Sequence, residues 1–201
     1  MYTPKQFIED DLDSLLNLMH EYPFATLITA PDAVPFVSHL PLLVERGATV
    51  KLVGHLARAN EQWRHFESGA ETLVVFHGPH AYISPSLYES PGVPTWNYAA
   101  IHVYGKPRLI MAPEQLKAMV EAFTLKHEKS QAMPWQPNYS PALLDHIVGF
   151  EMEIERIEGK YKLSQNRSEA DRGNLIHALS ASGSESARGV AALMQKRQQP
   201  K

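Results

Sequence analysis

The sequence predicts a mostly β, α+β domain, a small antiparallel barrel of about six strands with helices packed outside it. Two observations carry this reading. Short apolar runs follow one another through tight turns, which leaves too little chain for the crossovers that a parallel sheet needs. Residues Ile147 to Glu155 alternate, with Val148, Phe150, Met152 and Ile154 on one face and Glu151, Glu153 and Glu155 on the other, the period of a half-exposed strand.

Taken in order, Asp11 to Tyr22 places Leu12, Leu15, Leu16 and Met19 on one helical face, with Asp10 or Asp11 as cap and Pro23 as stop. Phe24 to Thr29 is short, apolar and rich in β-formers, and Pro31-Asp32-Ala33 reads as a turn. Phe36 to Val44 reads as a second strand, with Pro41 suggesting an edge or bulge. Arg46-Gly47 turns the chain into Val50 to His55, a natural antiparallel hairpin. A short helix, Glu61 to Glu67, stops at Gly69. Thr72 to His77 reads as a strand covered on both faces, interrupted by Gly78-Pro79 and resumed at Ala81 to Ser84.

Pro85 to Pro94 reads as loop, Ala99 to Gly105 as strand, and Arg108 to Met111 as its continuation. Pro113 opens a helix with Leu116, Met119, Val120 and Phe123 on one face. Met133 to Pro137 reads as loop, and Ser140-Pro141 as the start of one more helical turn. Two last helices span Glu169 to Leu179 and Glu185 to Gln195, the second capped by Ser182 with Glu185. The organisation expected is a barrel domain over 1–160 and a helical extension over 161–201.

At 201 residues, with 44% hydrophobic and 20% charged side chains, the chain affords one ordinary globular core. A net charge of −3 and a pI near 6.4 give no electrostatic case for nucleic acid over the whole molecule. The absence of cysteine excludes disulfides, thiolate zinc sites and a cysteine nucleophile. The N-terminal stretch lacks the pattern of a signal peptide, and no apolar run approaches the roughly 20 residues that span a bilayer, so the expected location is the cytoplasm, with no membrane partner.

The stretch LVGHLARANEQW, Leu52 to Trp63, is a strand that breaks at Gly54 and presents His55, Arg58 and Asn60 ahead of a helix. Unpaired first-turn amides beside a guanidinium suit an anion such as phosphate. A plain helix start, with Asn60 as cap and Arg58 solvated, fits the same residues. Trp96-Asn97-Tyr98 suits stacking on a planar ligand, a subunit contact, or simple core packing. His77 and His80 flank a bend with no third ligand placed nearby, so no metal is expected. There is no G-x-S-x-G elbow, Walker loop, G-x-G-x-x-G fingerprint or helix-turn-helix pattern.

Several blocks together resemble the PaiB-type family of FMN-binding negative transcriptional regulators. They are FATLIT, SHLPLLVE at Ser38 to Glu45, GHLARANEQW at Gly54 to Trp63, VVFHGPHAYISPSLYE at Val74 to Glu89, VPTWNYAAIHVYG at Val93 to Gly105, and KLSQNRSEADR at Lys162 to Arg172. The resemblance spans nearly the whole chain. It implies the FMN-binding split-barrel fold and a homodimer that holds flavin where two barrels meet. It also implies that the strand Phe36 to Leu42 and the turn His55 to Asn60 bind the flavin phosphate, Ser38 and His39 from one side and Arg58 and Asn60 from the other, and that the backbone near Val53 and Gly54 lines the isoalloxazine. Trp96, Asn97 and Tyr98 would approach from the partner subunit. The related oxidases carry a more basic pair at the positions of Ser38 and His39, which implies a weaker phosphate site here.

Two functions remain open on these grounds. One is an FMN-binding transcriptional regulator, contacting DNA directly or through another regulator, with the basic tail (Arg188, Lys196, Arg197, Lys201) as the local DNA candidate. The other is a small flavin-dependent oxidoreductase or flavin reductase, with His55, His102 and Tyr98 as the side chains in question for proton transfer. A lesser option is another planar ligand such as haem.

Overall fold

The computed structural model describes residues 1–31, 33–137 and 140–198. Asp32 of the expected turn and Lys201 of the basic tail lie outside them. The described strands are β1 (Ile8–Glu9), β2 (Phe24–Thr29), β3 (Phe36–Pro41), β4 (Leu43–Arg46), β5 (Val50–Ala57), β6 (Thr72–Ile83), β7 (Thr95–Gly105), β8 (Pro107–Ile110), β9 (Ile147–Glu153) and β10 (Arg156–Lys162). The α-helices are α1 (Leu12–Glu21), α2 (Pro113–Glu128), α3 (Glu169–Ser180) and α4 (Glu185–Gln198). The antiparallel α+β class holds, with more strands than the apolar runs announce. The strand orders are β1-β10-β7-β6-β2-β3 and β4-β5-β9-β8.

The chain forms two compact units. The first comprises Met1–Tyr22, Phe76–His102 and Glu158–Lys201, and the second Pro23–Val75 and Val103–Ile157.

In the first unit, the Asp11 carboxylate accepts the Ser14 amide at 2.8 Å and starts α1. This helix buries Leu15, Leu16, Leu18 and Met19; Leu12, expected on that face, is exposed in the first turn and Leu18 takes its place. Strand β6 is continuous through Gly78-Pro79, where a break was expected. A Cβ at Gly78 would stand 3.1 Å from both Ala99 and Leu18, so that glycine makes room for α1. A Cβ at Gly189 would stand 2.8 Å from Pro79, which shows how closely α4 crosses the same point. The Ser186 hydroxyl then takes the His80 amide and donates to the His80 carbonyl, both at 2.8 Å. Side-chain burial slips by one residue at Gly78-Pro79, so His77 and His80 are both exposed.

Strand β10 was not expected. Its charged residues hide a period of two, in which Ile157, Gly159 and Tyr161 alternate with Glu158, Lys160 and Lys162. It pairs with β1, Ile8 opposite Lys160 and Glu9 opposite Gly159. The cap of α4 is Ser184, whose hydroxyl accepts the Ala187 amide at 3.4 Å; Ser182, the residue expected there, accepts the Ser184 amide instead.

In the second unit, β2 and β3 form a hairpin in the register Phe24 opposite Pro41 and Thr26 opposite His39. The single strand expected over Phe36 to Val44 is two. Pro41 ends β3, the buried Leu42 donates its amide to the Pro23 carbonyl at 2.9 Å, and the chain leaves for the other sheet as β4. Strands β4 and β5 form the expected hairpin, and β9 pairs with β5 and β8. Strand β8 therefore does not continue β7: it joins a different sheet. Helix α2 packs Leu116, Met119 and Phe123 against Leu43 and Val53. At Gly149 a Cβ would lie 2.8 Å from Leu116, so α2 sits close on β9 there. The helix expected at Glu61 to Glu67 is 3-10 in type, Glu61–Ser68, and Gly69 ends it at φ 66°.

Candidate functional site

In the second unit β5 delivers His55 and ends at Ala57, and the Asn60 amide closes the turn on the Ala57 carbonyl at 2.9 Å. The Asn60 side chain works in two directions. Its carbonyl oxygen accepts the Gln62 amide at 3.1 Å, and its amide donates to the Ser38 hydroxyl at 2.8 Å. The Ser38 hydroxyl accepts that bond and keeps its own hydrogen to donate.

Arg58 is exposed but ordered by its partners. Its backbone amide donates to the His146 carbonyl at 2.7 Å, its Nε to the Asp145 carbonyl at 2.6 Å, and its Nη2 to the Ile147 carbonyl at 3.0 Å. The Trp63 indole donates to the Arg58 carbonyl at 3.0 Å. Two of five guanidinium hydrogens are thus engaged, and the fork keeps donors for an anion.

Ser38 and His39 are neighbours on a strand, so their side chains lean to opposite faces. The structure brings Ser38 together with Asn60 and turns His39 away; His39 Nδ1 lies 3.2 Å from the Thr26 hydroxyl, its register partner. Val53 is buried in the cluster under α2. A Cβ at Gly54 would stand 2.4 Å from Leu42, so this glycine answers to packing. His55 meets Phe123 edge-on at 5.6 Å, its Nδ1 is buried without a hydrogen-bond partner, and burial lowers its pKa. The Ser38 hydroxyl and Asn60 carboxamide, held together, and the partly engaged Arg58 guanidinium on the same turn are donors of the kinds that suit a phosphate monoester such as that of FMN.

Trp96, Asn97 and Tyr98 lie in the first unit, at the start of β7, which begins at Thr95, four residues before the strand expected from Ala99. Asn97 is fully buried; its amide donates to the Ser164 hydroxyl at 2.9 Å, and that hydroxyl lies 3.2 Å from the Asn97 carbonyl oxygen. It is an anchor. Trp96 and Tyr98 face the other way, into a cleft of about 500 Å³ shared with His77, His80, His102 and Lys160. Burial lowers the His102 pKa. Among the described residues, no group of three His, Asp or Glu is placed to hold a metal ion.

Two features escaped sequence reasoning. Gln62 is fully buried and donates to the Leu27 carbonyl, the Thr29 hydroxyl and the Phe36 carbonyl, tying the 61–68 turn under the β2–β3 hairpin. A glutamine one turn from a cap carries no distinctive signal. The segment SQNRSEADR clamps the proline-rich loop. Asp171 accepts the Glu89 amide and the Ser90 hydroxyl at 2.7 and 2.6 Å, while Arg167 donates to the Pro91 carbonyl at 3.1 Å and lies over the Tyr88 ring. Its density of polar residues inside a family block was the available signal.

Residues 1–156 match the family model described as "Putative FMN-binding domain". The chain is 40% identical over 205 residues to "Protease synthase and sporulation protein PAI 2" of Bacillus subtilis (strain 168), an alignment covering 97% of each protein. Among solved structures it is similar to the FAD and heme binding protein from Mycobacterium smegmatis, with a TM-score of 0.62 at 16% identity over 77% of this chain and 73% of that one. It is also similar to the flavocytochrome Anf3 from Azotobacter vinelandii, with a TM-score of 0.62 at 14% identity over 83% of this chain and 75% of that one. At such identities the two structures speak for the fold alone.

Proposed function

We propose a function from the premise that this chain belongs to the PaiB-type family of FMN-binding proteins: it is an FMN-binding homodimeric regulator that lowers transcription. The observation that carries the flavin part is the Asn60–Ser38 bond, with Arg58, two residues before Asn60 in sequence, keeping guanidinium donors free: groups of the kinds that suit the FMN phosphate. Bound FMN would supply a redox-active ring; the chain's own part is to fix the phosphate end.

The dimer is favoured by an apolar, exposed edge. Strand β3 ends its sheet order, and Phe24 and Val37 on one face of the β2–β3 hairpin are 64% and 46% exposed. In this reading the flavin sits where two subunits meet.

An indirect route to transcription is the better supported one. Of the basic tail, Arg188 donates to the Ser182 carbonyl at 2.7 Å and Arg197 pairs with Glu9 at 2.7 Å, so both cations have partners within the chain. The oxidoreductase reading draws on His55, whose Nδ1 is buried without a hydrogen-bond partner, although burial lowers its pKa and makes it a weaker base.

An absorption spectrum of the purified protein titrated with FMN, followed by promoter-DNA retardation at physiological salt, tests the proposal. It predicts a flavin spectrum at one FMN per subunit and no preference for promoter over random DNA by the isolated protein. A chain that takes up no flavin defeats it. Reduction of the bound flavin by NADH or NADPH at a useful rate would move the conclusion to the oxidoreductase.

A further inference from the structure

The cleft of the first unit has a chemistry of its own. One wall is an aromatic row in which the Trp96 ring lies 6.2 Å from His80 and 5.9 Å from Tyr82. Lys160 lies 5.4 Å from the Tyr98 ring centroid and 5.6 Å from that of Tyr2, with one ammonium hydrogen on the Tyr2 carbonyl at 3.0 Å, so two hydrogens point elsewhere. His77, His80 and His102 complete the lining. Among the described residues no carboxylate lines it; the nearby Glu158 pairs with the N-terminal amine of Met1.

Every titratable group in that lining is a base or a phenol, and the indole is 54% exposed on a strand whose backbone is fixed from behind. Lys162 donates to the Trp96 carbonyl and the Thr95 hydroxyl at 2.6 and 2.7 Å, and Asn97 anchors the opposite face on Ser164. The row is therefore preorganised, which lowers the ordering cost of a stacked ligand.

We propose that this cleft binds a planar aromatic anion, its ring on Trp96 and its charge on Lys160. Rings stack on an exposed indole, and an ammonium in a partly desolvated cleft selects a carboxylate or phosphate over a neutral group of the same shape. The ligand proposed is a free aromatic acid, distinct from the flavin. The inference does not depend on the phosphate seat at Arg58.

Ligand-observed NMR titration of the full chain with nicotinate, nicotinamide and inorganic phosphate separates ring from charge. The expected result is saturable nicotinate binding, with nicotinamide and phosphate each about tenfold weaker, the scale of one lost charged hydrogen bond or stacking contact. Trp96→Ala and Lys160→Gln should each weaken nicotinate about fivefold or more, and Trp96→Tyr should restore much of the loss. Nicotinate bound no better than nicotinamide, no saturable binding, or variants that bind like the parent would overturn the proposal. Repeating the titration with saturating FMN separates this cleft from the flavin site: undiminished nicotinate binding is expected, and displacement by FMN would overturn the proposal. Arg58→Ala, which leaves this cleft untouched, should bind nicotinate as the parent does, so loss of the seat and loss of the cleft read out separately.

Discussion

The Asn60 carboxamide joins the start of the 61–68 turn to β3 through one bond, 2.8 Å long, to the Ser38 hydroxyl. Because the same side chain also caps that turn, Asn60→Ala removes two bonds at once. The variant should lose about 1 kcal/mol of stability, the usual cost of a lost cap. Its FMN affinity should fall as well, since Ser38 loses its tether. Urea denaturation with and without FMN reads both effects, and an unmoved midpoint would deny Asn60 this role.

Gln62 should prove the more costly position. Its two amide hydrogens are shared among three oxygens, the Leu27 carbonyl and Thr29 hydroxyl in buried bonds and the Phe36 carbonyl in a part-buried one. Gln62→Leu keeps the bulk but leaves the buried Leu27 carbonyl and Thr29 hydroxyl without that donor, so a loss of about 1–3 kcal/mol is expected. A variant as stable as the parent would show that water or another donor reaches those oxygens.

His55 sets a pH dependence. Burial holds its folded pKa below the ordinary 6.5. As pH falls below 6.5 the unfolded chain binds a proton that the folded chain refuses, so stability is full above 6.5 and declines towards the folded value. His55→Phe should flatten the thermal-melting profile between pH 7 and the folded pKa. A profile of unchanged slope would place the titrating group elsewhere.

Asp171 acts at the acid end. The Ser90 hydroxyl foremost, then the Glu89 and Ser90 amides and the Ser168 hydroxyl, hold its pKa below 3.8 against a burial effect of opposite sign. Its contribution is present above 3.8 and is lost as pH drops through the lower folded value. Asp171→Asn should therefore be less stable than the parent at neutral pH, and the gap should close below that range. A gap constant down to pH 2 would contradict the assignment.

Much of this fold was legible in local pattern. The run FATLIT is β2 at its predicted bounds, and the Leu116, Met119 and Phe123 spacing gives the buried face of α2. Long-range contacts were not legible. The chain breaks between β3 and β4 at Leu42 because the Leu42 amide finds Pro23, a partner 19 positions away in sequence (42 − 23). Gly78-Pro79 reads as a break yet passes through a strand because α1 and α4 cover it closely. In β10, charge masked the period of two. At the site, Arg58 and Asn60 stood out because cation and cap precede a helix. The family resemblance grouped Ser38 with His39, and adjacency grouped Asn97 with Trp96 and Tyr98, where strand geometry separates them.

The central claim is that Arg58, Ser38 and Asn60 hold the phosphate of FMN. Comparing FMN with riboflavin, the same ring without phosphate, on the parent and on Arg58→Ala tests it most directly. The account predicts that the parent prefers FMN, and that the variant loses about 1–3 kcal/mol of FMN affinity while riboflavin binding is unchanged, the scale of a charged hydrogen bond. Equal affinity of the parent for both ligands, or an equal loss of both in the variant, would contradict it.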